Sequence, residues 1–106
     1  MAADTAYSTT GPSRAEVDAL GGVTVLEFGT NWCGYCQGAQ PSIAEAFESH
    51  RDVRHLKIED GPGRALGRSF KVKLWPTLIF LRDGNEVARV VRPNNPADLA
   101  PAFAAL

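Results

Sequence analysis

The feature that most constrains the fold is a change of period inside one stretch, VTVLEFGTNWCGYCQGAQP, Val23 to Pro41. Val23 to Phe28 is β-branched and apolar at odd and even positions alike, the pattern of a central strand covered on both faces. From Cys33 onward the spacing becomes helical: Cys36, Ala39, Ile43, Ala46 and Phe47 form one stripe. Pro41 falls inside that helix and should kink it. Two features of the stretch exceed what architecture needs. Glu27 places a carboxylate inside the buried strand, and Cys33 and Cys36 are the two cysteines of the chain.

The rest of the chain supplies partners for this unit. Ser13 to Glu16 reads as a capping box, with Val17 and Leu20 on an apolar face and Gly21-Gly22 ending a short helix. Val53 to Glu59 reads as a strand. Gly61, Gly63 and Gly67 bracket a weak helix ending near Phe70. TLIFLRDGNEVARVV is two strands joined at Asp83-Gly84, a hairpin turn. Asn95 caps a last helix with Pro96 at its first position and a stripe of Leu99, Ala102, Phe103 and Leu106. Strands separated by helices call for parallel pairing, and the hairpin adds antiparallel strands. The expected fold is α/β, a mixed central sheet with helices on both faces. Met1 to Thr10 is small and polar, a loose tail or a short edge strand. The expected organisation is a flexible tail over residues 1–12 and one domain over 13–106.

Composition narrows the function classes. A chain of 106 residues can bury a real core. Eleven basic against twelve acidic side chains leave no excess to neutralise phosphates, so nucleic acid is not an expected partner. No apolar run is long enough to span a bilayer, and no membrane association is expected. The N-terminus shows neither a basic nor an apolar leader segment, which points to the cytoplasm; an exported protein whose leader had been replaced by a new Met1 would read the same, and would be periplasmic.

A Cys33–Cys36 bridge closes only a tiny loop and adds little chain-entropy stabilisation, so the pair requires a chemical explanation. A cysteine at the first turn of a helix sits among unpaired N–H groups at the positive end of the dipole, which stabilises a thiolate. Cys33 holds that place, and Cys36, one turn on, points along the stripe towards the core. The arrangement suits thiol–disulfide exchange, with Cys33 attacking a substrate disulfide and Cys36 resolving the mixed disulfide. Two bland core cysteines are the competing reading. Cys33, Cys36, His50 and His55 also match the spacing of a zinc site, but HRDVRH straddles a helix end and a strand start, so both histidines read as surface residues and no metal is expected. GPGRALG lacks the third glycine of a dinucleotide loop and the lysine of a phosphate loop, and reads as turn chemistry.

WCGYC after a strand ending LEF, Pro41 five residues past the second cysteine, Pro76-Thr77 opening a strand, and Gly84 together resemble the thioredoxin family, from about Ser13 to Leu106. The resemblance implies a thioredoxin fold and a protein-disulfide reductase using Cys33 as nucleophile and Cys36 as resolving thiol, joined as a redox disulfide when oxidised. Trp32 matches the tryptophan that shields the motif. Pro76 matches a proline that is cis in the family, where the backbone of the preceding residue, here Trp75, pairs with bound substrate as an added strand. Glu27 matches the buried acid and Lys57 its lysine partner; burial should raise the pKa of Glu27 and make it a proton acceptor for Cys36. A satisfied ion pair between Glu27 and Lys57 is the alternative.

Three positions depart from the pattern. Gly34-Tyr35 replaces Gly-Pro and makes the motif similar to that of periplasmic disulfide isomerases. Trp75 replaces a small or aliphatic residue, and Arg92-Pro93 stands where the family has a groove glycine. The implied substrate surface is therefore Trp32, Gly34, Tyr35, Trp75, Pro76 and Arg92. No bound cofactor is implied, because the electrons reside on the two sulfurs. The implied partners are protein disulfides and an electron donor such as a flavin-dependent thioredoxin reductase or glutathione, and the chain is expected to be a monomer. An isomerase, an oxidant, a reductant dedicated to one client, and a non-catalytic adaptor gripping a partner through the Pro76 groove remain the alternatives.

Overall fold

The computed structural model describes residues 6–106. Elements follow the order α1 (Arg14–Asp18), β1 (Val23–Gly29), α2 (Gly34–Glu48), β2 (Arg54–Glu59), α3 (Ala65–Ser69), β3 (Thr77–Arg82), β4 (Asn85–Val91), a 3-10 turn (Pro96–Leu99) and α4 (Ala100–Ala104). The strands form one sheet in the order β2-β1-β3-β4, with β1 parallel to β2 and antiparallel to β3, and β3 antiparallel to β4.

The alternation of β1 sends its side chains to two separate cores. Leu26 and Phe28 pack with Val17, Ile58, Leu66, Phe70, Ile79 and Leu81 beneath α1 and α3. Val25 packs with Ala39, Ile43, Leu78, Phe80, Leu99 and Phe103 beneath α2 and α4. Phe28 and Phe80 are completely buried, one in each core, and a fully buried side chain of this kind contributes roughly 1.5–3 kcal/mol. Glu27 shares the face of Val25 and therefore lies on the α2 side of the sheet.

Local signals explain most element ends. Ser13 and Glu16 form the reciprocal capping box at α1. Asp83 and Gly84, at φ +49° and +81°, make the primed turn that matches strand twist in a hairpin. A Cβ on Gly84 would lie 2.1 Å from the Asp18 carbonyl oxygen, so the turn packs directly on the end of α1. Helix α2 runs through Pro41 without interruption. Asn95 caps the C-terminal helix as expected, but the first turn, Pro96–Leu99, is 3-10 rather than α. Asn95 accepts from the Asp98 N–H while the Asp98 carboxylate takes the N–H of both Asn94 and Asn95, which tightens that turn.

Of the two readings of the N-terminal residues, the short edge strand describes Tyr7 and Ser8 better than the loose tail. Ser8 forms a parallel bridge with Ile58, donating to the Lys57 carbonyl and accepting from Glu59 N–H at 2.9 Å each. The Tyr7 amide donates to Asn31 Oδ1 at 2.9 Å, and its side chain is buried. Residues 1–5 of the expected tail lie outside the described residues.

Candidate active site

The strand-to-helix junction after β1 places Cys33 as the N-cap of α2, with extended φ/ψ of −81° and 121°. Both cysteines are free thiols. The Cys36 amide, one of the donors a helix start leaves unpaired, points at Cys33 Sγ at 3.3 Å. A donor is thus aimed at a sulfur that carries negative charge in its thiolate form. Cys36 is 1% exposed. Burial above all, and then its hydrogen bond with Cys33, push its thiol up to about 11, while the Thr30 amide pulls the other way. Cys33 is buried too, at 9% exposure, rather than exposed as its place at the helix start suggests, so the two sulfurs differ in degree, one at the helix mouth and one sealed behind it.

Glu27 is fully buried beneath α2. Its Cα pairs in register with Lys57, but its carboxylate is held mainly by other residues. His55 Nε2 meets Oε1 at 2.8 Å, and Gln40 Nε2 donates to Oε2 at 2.9 Å. The Tyr7 hydroxyl also donates to Oε2. Lys57 donates to Gln40 Oε1 and sits 4.7 Å from the centroid of the Tyr7 ring. This corrects two expectations. Burial is the largest single influence on Glu27 and pushes its pKa up. The hydrogen bond with His55, the Lys57 charge and the bonds from Gln40 and Tyr7 together outweigh burial and hold the carboxyl below its ordinary range. His55 is also not a surface residue. It is half-buried, stacks on Phe47 at 3.9 Å and contacts the acid, while His50 stacks on Phe103. Among the described residues no group of three His, Cys, Asp or Glu side chains could hold a metal ion.

The residues expected to face substrate surround Cys33. Trp32 and Tyr35 are exposed at 73% and 64%. Trp32 meets Trp75 edge to face at 5.7 Å, and Trp75 is anchored by Nε1–H donation to Asp60 at 2.8 Å. The Trp75-Pro76 bond is cis. Across the motif, Gly34, Tyr35, Ala39, Arg92 and Pro93 line a groove. Arg92 lies over the Tyr35 ring at 3.7 Å and donates from Nε to the Trp75 carbonyl at 2.8 Å.

Residues 8–105 match the thioredoxin family model. The chain belongs to the thioredoxin family. It superposes on the reduced form of thioredoxin 2 from Pseudomonas aeruginosa PAO1 with a TM-score of 0.84 and 62% identity, covering 92% of this chain and 91% of that one. It is 34% identical to thioredoxin-2 of Saccharomyces cerevisiae over 77% of this chain and 78% of that protein. It is 30% identical to thioredoxin H9 of Arabidopsis thaliana, again over 77% of this chain. The match spans only 50–59% of the length of that plant thioredoxin and of three others, from Arabidopsis, rice and poplar.

Within this thioredoxin site, sequence reasoning missed Tyr7, Gln40, His55 and Asp60. Two of these carried a signal. Gln40 lies four residues past Cys36 on the same helix face, and His55 lies two residues before Lys57 on the same strand face. Tyr7 and Asp60 are brought in by tertiary structure alone.

Proposed function

We propose that the protein is a thiol–disulfide oxidoreductase acting on protein disulfides, and that it works as a reductase. The observation that carries this reading is the Cys36 N–H directed at Cys33 Sγ, with the Cys36 thiol sealed one turn behind. In the first step Cys33 thiolate attacks one sulfur of the substrate disulfide, and the other sulfur leaves as a thiolate. In the second, Cys36 attacks Cys33 Sγ, the Cys33–Cys36 bond forms, and the remaining substrate sulfur leaves. Substrate gains two electrons and the pair loses two. Trp32, Gly34, Tyr35, Trp75, Pro76 and Arg92 serve as the substrate-facing surface. A flavin-dependent thioredoxin reductase or glutathione returns the electrons.

Insulin reduction with a Cys33→Ser control tests the activity: turnover that disappears in the variant supports it, and absence of turnover in both overturns it. The direction is tested by the reduction potential. A value near about −270 mV supports the reductase, and one nearer about −120 to −180 mV overturns it in favour of an oxidant or isomerase.

A dedicated client is favoured over general substrates by one observation. Arg92 already occupies the Trp75 carbonyl, the acceptor that a substrate strand would use. A client able to displace or bind that guanidinium gains access that others lack.

A further inference from the structure

Two groups converge on the open side of Gly29. A Cβ there would lie 2.6 Å from Cys36 Sγ and 2.8 Å from Tyr7 Oη, so the glycine leaves space in which thiol and phenol meet. Tyr7, Cys33 and Cys36 form one buried cluster, and the Tyr7 hydroxyl and the Cys36 sulfur both border the space beside Gly29. The same hydroxyl donates to Glu27 Oε2 and accepts from Gln40 Nε2 at 3.2 Å. The phenol thus stands between the resolving sulfur and the buried carboxylate.

Resting on the oxidoreductase reading above, we propose that Tyr7 is a catalytic residue whose hydroxyl carries the Cys36 proton to Glu27 as the mixed disulfide is resolved. Before the step the Tyr7 O–H donates to Glu27 Oε2, and the relay requires the Cys36 S–H to turn to Tyr7 Oη across the space beside Gly29. During it, the thiol proton passes to Oη while the phenol proton passes to Oε2. Cys36 sulfur, freed of its proton, bonds to Cys33 sulfur, and the substrate sulfur leaves as a thiolate. Glu27 holds the proton only as the step completes and, being kept below its ordinary range, gives it up to solvent or to the departing thiolate, while Tyr7 is neutral before and after, so protons and electrons balance.

The surroundings of the phenol decide that both protons move together. It is faced by Glu27 from β1, Lys57 from β2 and Cys36 and Gln40 from α2, with His55 behind the carboxylate. Burial, then the adjacent Glu27 charge, raise the Tyr7 pKa far above its ordinary value of 10.0, so a tyrosinate intermediate is not available. Glu27 is held low and Cys36 high, so the proton rests on sulfur until the new S–S bond begins to form. The amide of Tyr7 on Asn31 and the bridge at Ser8 fix the ring where this transfer needs it.

Tyr7→Phe keeps the ring and removes the hydroxyl. A chromogenic aryl disulfide that releases one coloured thiolate at each step separates attack by Cys33 from resolution by Cys36 in stopped flow. In Tyr7→Phe the first release is expected to proceed and the second to slow by about 10- to 100-fold at pH 7, recovering towards pH 11 where Cys36 ionises unaided. Equal second-phase rates in wild type and a folded Tyr7→Phe at every pH overturn the relay while leaving the oxidoreductase reading intact. Absence of any first release in wild type overturns that reading and the relay with it. A proton inventory on the second phase of the wild-type protein, in mixtures of light and heavy water, is independent of folding of the variant. A curved, two-proton dependence is expected, and a linear one overturns the proposal.

Discussion

Arg92 Nε donates to the Trp75 carbonyl oxygen at 2.8 Å, while the Arg92 guanidinium lies 3.7 Å above the ring of Tyr35. One side chain therefore bridges the two walls of the groove beside Cys33. Arg92 adopts φ +52°, a left-handed conformation in which glycine is unstrained and arginine is not. The residue holds a conformation that costs about 1 kcal/mol or more in order to make these contacts. Such an arrangement fits a position that governs access to the Trp75 backbone.

Arg92→Gly should open the groove. Releasing the Trp75 carbonyl removes one competing charge-assisted hydrogen bond, so KM for insulin is expected to fall about 5-fold, with kcat little changed. Stability should change by less than about 1 kcal/mol, because relief of the left-handed strain offsets the lost cation–π contact. Steady-state kinetics and urea melts check both. A KM that rises instead would mean that Arg92 recruits insulin rather than restricting it.

Glu27→Gln tests the hydrogen-bonded carboxylate. The folded pKa of Glu27 lies below its ordinary value of 4.5 despite burial. Its ionised network therefore stabilises the fold at neutral pH, and that stability is lost as pH falls from about 4.5 through the folded value. The variant should be less stable than wild type at pH 7 by about 1–3 kcal/mol, since charged hydrogen bonds to His55, Gln40 and Tyr7 are weakened. The difference should shrink on acidification, and urea melts at pH 7 and about pH 3.5 measure it. Glu16 is also held low by its capping hydrogen bonds with Ser13, so part of the acid sensitivity remains in the variant.

Gly84→Ala should be strongly destabilising. The added Cβ would approach the Asp18 carbonyl oxygen to 2.1 Å in a backbone already at φ +81°. A loss of about 2 kcal/mol or more is expected, lowering Tm by about 8–16 °C. Gly38→Ala provides the contrast. Nothing lies within 4 Å of a Cβ there, and the residue is inside α2, so stability should rise by about 0.5–1 kcal/mol. Thermal melts of the two variants should move in opposite directions.

The backbone plan of this molecule was largely legible because its signals are local. Period-2 and helical spacing, the Ser13 and Asn95 caps and the Asp83-Gly84 turn each act over a few residues, and each formed where expected. The cysteine pair was legible for the same reason. What escaped lies across the sheet. Tyr7 reaches Glu27 from 20 residues away and carries no local pattern, so a segment of small polar residues gave no hint that it completes the acid's shell. The expected upward shift of Glu27 failed for the same cause: burial could be read from β1, but the compensating donors come from α2, β2 and Tyr7. The 3-10 turn at Pro96 was hidden in the same sense, since a helical cap does not reveal how tightly the next turn closes.

Cys36 yields a prediction that separates the two redox states. Its thiol is pushed up to about 11, first by burial and next by the hydrogen bond with Cys33. In the unfolded chain a cysteine titrates near about 8.5. A folded value above the unfolded one stabilises the reduced fold fully below about pH 8.5, and that stability is lost as pH rises through about 11. The disulfide form has no thiol at position 36 to titrate, and it also lacks the Cys36 contribution that helps to raise Tyr7. Reduced protein should therefore lose stability relative to oxidised protein between about pH 8.5 and 11. Denaturant melts of both forms across that range, with alkylation confined to one sulfur per chain at pH 7, are the expected result. Prompt alkylation of both sulfurs at pH 7 would show that Cys36 is neither sealed nor raised.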